Sequence, residues 1–522
     1  MIADGERERV TDLGYARRSM RRAFVTSLLF AFVGFALLFG VEFFLEWRAA
    51  GYPGVRAMSW AGDNNAKLVD TLSPMARAYN NVLAMLLATI GLAIPLTANM
   101  HTPKLIDLFL RDRINRVVLS FMALGAAHVL FVAYIIGPQF APMWSVRLAV
   151  LAALVGWAIL IPYFFYVVRF LDPSRVVRRL SEEVVHHVET VAAKKHDPAA
   201  TQEQVAARID QLGTLVLKSL DRGDRGVARE GIWALKQLID QHAKHKAGMP
   251  RAWFRVDRAD FVGLSAEALD MIYDDRTWFE MKCGLQLAHG YQVALHKASD
   301  AVSSISDANR VIALRAAERG DHEALALAVR FFNNFLREAI KAKNVHAVYD
   351  VFHQYRLLAK DVCDRPALIK QIGRHFIYYA TMARQYGLVF APQLAVFDLG
   401  YIVRRAYEAN AAAAPDLLTS VLKLPHHTGH DFHSLAIKAK LILGAFLLGN
   451  RLTAEAAQVR ANLGDVPELE IEHATDELLA AERVFFEVTD HQINLEYVPP
   501  ERREPLKQFA ADLLADVRAR SA

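Results

Sequence analysis

The sequence predicts an all-α protein with a four-helix transmembrane domain followed by a large cytoplasmic α-helical domain. Three observations support this prediction. Four long runs of uncharged, mostly apolar residues fall within the first third of the 522-residue chain. Beyond about residue 172, charges become frequent and apolar residues recur at helical spacing. Strand-like alternation of apolar and polar residues is rare throughout.

Each of the four runs approaches the roughly 20 residues that an α-helix needs to cross the hydrocarbon core of a bilayer. The uncharged stretches contain 19, 17, 20 and 21 residues and begin at Ala23, Val82, Val117 and Leu148. We predict a transmembrane domain over 23–171, with helices at about 23–45, 79–99, 117–137 and 147–168. The first run is too long for the apolar core of a signal peptide, so we expect it to remain as an anchor.

The distribution of lysine and arginine predicts that both termini lie in the cytoplasm. Six arginines occupy the N-terminal segment 1–22, and four more follow the fourth run between Arg169 and Arg179. The loop between the third and fourth runs has only Arg147, whereas the longer loop at 46–78 has four basic residues. By the positive-inside rule, residues 1–22 and 172–522 are cytoplasmic. The presence of only two cysteines suits a reducing compartment.

The loop between the second and third spans, HTPKLIDLFLRDRINRVVL, predicts a short amphipathic helix that runs into span three. Thr102 before Pro103 is typical of a helix start, and Asp112 and Arg116 are spaced for an i,i+4 ion pair. Such a helix would lie at the cytoplasmic interface, against anionic headgroups or against the soluble domain. Its cations are Lys104, Arg111, Arg113 and Arg116.

The loop sequence, with a span on either side and RVVRRLSEEV after span four, resembles a family of uncharacterised bacterial integral membrane proteins. That family has four N-terminal spans and a cytoplasmic loop of the pattern TPxLxxxFLRDRxNxVVL. The resemblance covers about residues 80–185. It implies a multi-pass protein of the bacterial cytoplasmic (inner) membrane, and it implies no chemistry.

Two ionisable residues fall in or beside the predicted spans. His128 lies near the middle of span three, and Glu42 lies near the outer end of span one. Polar groups in hydrocarbon are costly and are often functional, so His128 could gate a pore. It could equally donate one hydrogen bond to a neighbouring helix, which the small residues around Gly125 would allow to approach closely. The packing role is the simpler interpretation.

The cytoplasmic region contains two similar stretches, which begin with Arg-Gly-Asp at Arg222 and, 97 residues later, at Arg319. In each, the aspartate is placed to cap a helix with an apolar stripe. A rhythm of this kind is typical of α-solenoids, although no constant repeat length is present, so a non-repetitive bundle is the alternative.

The segment LPHHTGHDFH at 424–433 concentrates side chains that can bind zinc. They are His426, His427, His430, His433 and Asp431. Their spacing matches no established metal motif, and Thr428 with Asp431 also forms a helix-capping pattern. The alternatives are therefore a zinc site, a pH-responsive cluster or a capped helix start.

No phosphate-binding loop, dinucleotide fingerprint or nucleophile elbow occurs in the sequence. A net charge of only +5 without a basic stripe argues against nucleic-acid binding. The leading hypothesis is a non-enzymatic membrane protein without a cofactor, whose cytoplasmic domain senses a signal or binds a protein partner or itself. The competing hypothesis is a homo-oligomeric ion channel in which His128 lines or gates the path. A third hypothesis is a metal-dependent enzyme that uses the 426–433 cluster.

Overall fold

The computed structural model describes residues 39–49, 63–100, 106, 109–110, 112–136, 140–424, 433–484 and 494–521. All regular secondary structure within these ranges is helical, and no strand occurs in them. The all-α prediction is therefore confirmed for the described residues. The chain divides into two compact units, Met1–Arg175 (unit 1) and Val176–Ala522 (unit 2).

Within its described residues, unit 1 contains three helices that are long and apolar enough, by length and composition, to cross a membrane. The described part of a further helix, α1, covers 39–49. The three long helices are α2 (Asp63–Met100), α3 (Arg113–Ile135) and α4 (Met143–Phe170). Their candidate membrane spans, Leu68–Pro95, Arg113–Ile135 and Met143–Phe170, overlap the second, third and fourth predicted spans. Most of the first predicted span, 23–38, lies outside the described residues.

Helix α2 begins 16 residues before the predicted span, at Asp63, where we expected a loop that continues to residue 78. Arg77 is one of the basic residues of that predicted loop, but it lies on an exposed face of the helix, as does Asp70. On the opposite face, Leu72, Ala76 and Tyr79 are buried at helical spacing. Packing of this stripe accounts for the longer helix.

The prediction of a helix that runs unbroken into span three is wrong at Asp112. This residue has extended backbone angles and caps α3, since its carboxylate accepts hydrogen bonds from the amides of Ile114 and Asn115 at 3.0 and 3.1 Å. The hydroxyl of Tyr166 donates to the same carboxylate oxygen at 2.8 Å. Aspartate favours a helix cap over a helix interior, and these bonds replace the expected ion pair with Arg116.

Where the structure describes the connections, most helices of unit 2 are joined by short turns, and a stretch of 3₁₀ turns lies between Lys246 and Asp260. The boundary between the units falls within α5 (Pro173–Ala192). The helices that follow are α6 (Pro198–Arg222), α7 (Arg225–His245), α8 (Ala266–Asp274), α9 (Trp278–Lys297), α10 (Ser299–Arg319), α11 (His322–Lys341), α12 (Val345–Asp361), α13 (Pro366–Gln385), α14 (Ala391–Glu408), α15 (Ala414–Leu422), α16 (His433–Gly449), α17 (Thr453–Asn462), α18 (Glu468–Ala480) and α19 (Pro500–Ser521). From α6 onward, they pack chiefly against helices no more than three places away in the chain.

The two Gly-Asp turns form the helix caps that the sequence predicts. Gly223 and Gly320 adopt left-handed backbone angles, with φ of 77° and 72°, and end α6 and α10. Asp224 accepts a hydrogen bond from Val227 N and so begins α7, and Asp321 begins α11 in the same way. The apolar stripes of α7 and α11 that follow are buried.

Candidate functional site in unit 1

Glu42 of α1 and His128 of α3 meet inside unit 1. The distance between His128 Nε2 and Glu42 Oε2 is 2.9 Å. The histidine side chain is 4% exposed and the glutamate side chain 20% exposed. The sequence predicts each residue as a separate candidate, and the structure joins them across 86 residues of chain. Because both side chains can carry a proton, the pair is a candidate functional site.

Aromatic residues fix the position of the histidine ring. Phe39 lies three residues before Glu42 on α1 and packs on His128 with ring centroids 4.6 Å apart. The same phenylalanine stacks on Phe131 at 5.7 Å. On α3, the neighbours Gly125 and Ala126 are small and buried. The imidazole is therefore surrounded by apolar groups, with the carboxylate of Glu42 as its one hydrogen-bond partner among the described residues.

A second carboxylate follows one helical turn after the first. Glu46 Oε1 accepts a hydrogen bond at 2.8 Å from the backbone N–H of Ser145, in the first turn of α4. Helix N-termini favour negative charge, so this position suits an ionised carboxylate. The other oxygen, Glu46 Oε2, is buried and has no hydrogen-bond partner among the residues that the structure describes. Sequence reasoning missed this residue, although its i,i+4 spacing from Glu42 was a usable signal.

The three long helices of unit 1 come together around Tyr79 of α2. Its side chain is fully buried, and its hydroxyl donates to Met122 Sδ at 3.6 Å. The ring lies against Gly125 of α3 and Gly156 of α4. The small residues of α3 thus permit the close approach expected from the sequence, and α2 is the helix that uses it. This crossing holds α3, and with it His128, in place.

The pair Glu42–His128 can exchange a proton along one short hydrogen bond. In a low-dielectric environment, the neutral acid–imidazole form and the ion pair both satisfy the bond, and they differ by the position of one proton. The second ring nitrogen of His128, Nδ1, has no hydrogen-bond partner in the described part of the chain. It can therefore bind or release a proton that does not pass through Glu42. No group of three His, Cys, Asp or Glu side chains that could hold a metal occurs among the described residues.

The remaining sequence-predicted sites are only partly within the described residues. Arg113 and Arg116 lie in the exposed first turn of α3, whereas Lys104 and Arg111 lie outside the described ranges. His433 is the first residue of α16. The other members of the proposed zinc cluster, His426, His427, His430 and Asp431, lie outside the described residues, together with the capping pattern at Thr428.

Unit 2 contains a buried polar network centred on Glu280 of α9. Glu280 Oε1 lies 3.2 Å from His242 Nδ1 and 3.3 Å from Lys246 Nζ. The indole N–H of Trp253 donates to His242 Nε2 at 3.1 Å, so Nε2 is an acceptor and Nδ1 carries the ring proton. Burial by itself raises the pKa of Glu280, but His242 and Lys246 outweigh it and hold that pKa at about 2. Both nitrogens of the imidazole are therefore occupied by protein partners, which indicates a structural role.

Residues 21–221 match the model of a family described as "Predicted membrane protein (DUF2254)". The matched region includes Glu42, Glu46 and His128, all of unit 1 from residue 21 onward, and the first helices of unit 2. No curated protein and no solved structure matches the chain.

Proposed function

Since this chain is a membrane protein, we propose that it conducts protons through the membrane along a path that includes Glu42 and His128. The observation that supports the proposal is the 2.9 Å contact between the two side chains, formed by an apolar helix that can span the bilayer. Ionisable residues at such positions commonly mark proton relays and ion pathways. A purely structural hydrogen bond could be made by two neutral polar side chains at a lower desolvation cost.

The arrangement around the pair supports a path with more than one proton-carrying group. Glu46 lies one turn from Glu42 and has a free carboxylate oxygen. A proton that leaves His128 for Glu42 therefore has a second carboxylate within one helical turn. Four helices enclose little space by themselves, so we infer that the path forms between copies of the chain in a homo-oligomer within the bilayer. We place this protein in the bacterial inner membrane with both termini in the cytoplasm.

The experiment is proton flux through purified protein in liposomes, followed with an internal pH dye from about pH 5.5 to about pH 8. We expect flux above that of empty liposomes, and a loss of most of it in Glu42→Gln and in His128→Gln. Glutamine preserves a hydrogen bond at either position but does not carry a proton. Thr89→Val is the control, because Thr89 lies on an exposed face of α2 and bonds only to its own helix. No flux at any pH, or equal flux in all variants, would overturn the proposal.

A second candidate function is an anchored interaction domain, in which unit 2 binds a protein partner or another copy of itself. Val262 and Leu469 of unit 2 are 90% and 77% exposed, so each is a candidate contact for such a partner. In this case we expect self-association, measured by cross-linking, to persist when an unrelated membrane anchor replaces unit 1. Loss of self-association after such a replacement, or unchanged self-association in Leu469→Asp and Val262→Asp, would count against this function.

We propose that the chain is not an enzyme and that it needs no cofactor. The competing metal-dependent enzyme remains a proposal that depends on the histidine segment. It predicts bound zinc at one equivalent per chain, lost when His430→Ala and His433→Ala are combined. Metal analysis of the purified protein tests it, and a metal-free wild-type chain would exclude a resident zinc ion.

A further inference from the structure

An arginine-rich cluster in unit 2 has more positive charge than its own carboxylates balance. Its members come from α12, α14 and α19. They are Arg356, Arg404, Arg405, Arg502, Asp398 and Glu408, hereafter the arginine cluster. With all six side chains ionised, four arginines and two carboxylates leave an excess of two positive charges. An excess of partly buried positive charges favours the binding of an anion.

The pairing within the arginine cluster leaves one guanidinium without a carboxylate. Arg356 Nη1 lies 3.1 Å from Asp398 Oδ1, deep in unit 2. Glu408 is shared, since Arg405 donates to it at 2.5 Å and Arg502 at 3.3 Å. Arg404 forms no hydrogen bond and has no carboxylate within 4 Å among the described residues. Its fork of N–H donors is therefore available to a ligand.

Arg404 lies close to two other arginines, Arg356 and Arg502. The guanidiniums of Arg356 and Arg404 both pack on the ring of Tyr401, with Cζ atoms 5.1 and 5.8 Å from its centroid. Arg502 is anchored on the ring of Phe446 at 5.1 Å. Burial, followed by repulsion from Arg502, lowers the pKa of Arg404 to about 10, although Glu408 and Tyr401 act in the opposite direction. The like charges are thus close enough to repel one another, and a bound anion would relieve that repulsion.

The cluster is open to solvent on one side. The side chains of Asp398 and Arg356 are 2% and 10% exposed, whereas those of Arg502 and Glu408 are about a third exposed. Arg404 is half-buried between these extremes. The solvent-facing side of the cluster is therefore the side of Arg502 and Glu408. Two buried donors without a partner, Arg405 Nε and Tyr407 Oη, add hydrogen-bonding capacity on the same helix.

We propose that the arginine cluster is a binding site for a phosphate group, with Arg404 as its main ligand and Arg356 and Arg502 as flanking charges. A phosphate dianion matches the surplus of two charges. The planar guanidinium binds phosphate through two parallel hydrogen bonds, which an ammonium group cannot do. The phosphate group can belong to a soluble anion or to a lipid headgroup, and the same cluster chemistry would recognise either.

The test is isothermal titration calorimetry on the full-length protein, purified in phosphate-free detergent solution. The probes are inorganic phosphate, pyrophosphate and short-chain phosphatidic acid in the same detergent. We expect one site per chain for at least one probe, and binding at least about tenfold weaker in Arg404→Gln. Tighter binding of inorganic phosphate or pyrophosphate indicates a soluble ligand, whereas tighter binding of phosphatidic acid indicates a lipid. Arg404→Lys keeps the charge but loses the fork, so its affinity is expected to be intermediate.

Arg518→Gln is the matched control. Arg518 is an exposed residue of α19 that pairs with Glu468, and its substitution removes the same charge from unit 2. It should bind as the wild type does. Arg404→Gln should be at least as heat-stable as the wild type without ligand, since it removes repulsion, and this separates lost binding from lost folding. Absence of binding for all three probes, or equal weakening by Arg404→Gln and Arg518→Gln, would overturn the proposal.

Discussion

At the residue scale, the buried polar side chains around Glu280 in unit 2 are held in place by their contacts with one another. Lys246 contacts Glu280 at 3.3 Å and Asp321 at 2.8 Å, so one ammonium group serves two carboxylates. Burial of these charges is tolerated because each has a partner. Helical spacing predicts which of these residues face inward, but it does not reveal which of them pair. The network could therefore not be predicted from the sequence.

Glu280→Gln tests the acid–base coupling of this network. The folded-state pKa of Glu280 is about 2 and lies below the ordinary 4.5, so its contribution to stability is complete above about pH 4.5. That contribution is lost as the pH falls through 2, and it is on the order of 3 kcal/mol. We expect the variant to be less stable at neutral pH and to lose less stability on acidification. Tryptophan fluorescence during urea unfolding measures this, because Trp253 and Trp278 are both buried beside the network.

The exposed carboxyl of Glu182 on α5 provides the matched control. Glu182→Gln should leave the acid limb of the stability curve as in the wild type. An acid limb that is unchanged in Glu280→Gln would contradict the assignment of Glu280 as an ionised, partnered carboxylate.

At the element scale, the sequence predicts the first residue of a helix well where a Gly-Asp turn precedes that helix. It does so poorly where a tertiary contact determines the first residue. The caps at Asp224 and Asp321 follow from local hydrogen bonding, which the sequence encodes directly. The longer α2 is accounted for by the burial of Leu72, Ala76 and Tyr79, an apolar stripe at helical spacing that a search for uncharged runs does not detect. Asp112 ends the predicted interfacial helix because its carboxylate caps α3 and also accepts from Tyr166, 54 residues later.

The two Gly-Asp caps should differ in their contribution to stability. Asp224→Ala removes a cap and should cost about 1 kcal/mol. Asp321→Ala removes a cap and also the 2.8 Å contact with the partly buried Lys246, so its cost should be larger. Asp321→Asn keeps the cap and removes the charge, which separates the two effects. Urea unfolding of the full chain measures all three, and equal losses for the two alanine variants would contradict the role of Lys246.

The crossing at Tyr79 should be sensitive to a single added methyl group. A Cβ on Gly156 would lie inside the van der Waals contact distance of the fully buried Tyr79 ring, whereas a Cβ on Gly91 would meet no atom within 4 Å. We expect Gly156→Ala to destabilise unit 1 by about 1–3 kcal/mol and Gly91→Ala to be nearly neutral. Resistance to unfolding in mixed detergent micelles measures the difference. Similar behaviour of the two variants would show that the crossing is loosely packed.

At the scale of the whole molecule, composition and hydropathy were sufficient to predict an all-α membrane protein. The three apolar helices were found from run length alone, because the width of the hydrocarbon core sets that length. The contact between Glu42 and His128 could not be predicted, since 86 residues separate them and neither residue has a motif around it. The sequence identified both residues as candidates because an ionisable group beside hydrocarbon is unusual.

The proposed orientation can be tested on the intact chain. A cytoplasmic C-terminus predicts that a green fluorescent protein fused after Ala522 is fluorescent in bacterial cells, whereas an alkaline phosphatase fused there is inactive. The physical reason is the excess of arginine in 1–22 and after α4. The reverse pattern of the two reporters would place unit 2 outside the cytoplasm and would refute the inferred topology.

The most direct test of the proton path is proton flux through the double variant Glu42→His/His128→Glu, compared with the single variants Glu42→Gln and His128→Gln, which carry no proton at the substituted position. The swap exchanges the two groups across the same 2.9 Å contact and keeps one acid and one base. If the pair carries protons, each single variant should lose most of the flux and the double variant should recover a measurable part of it. Wild-type flux in both single variants would contradict the proposed path.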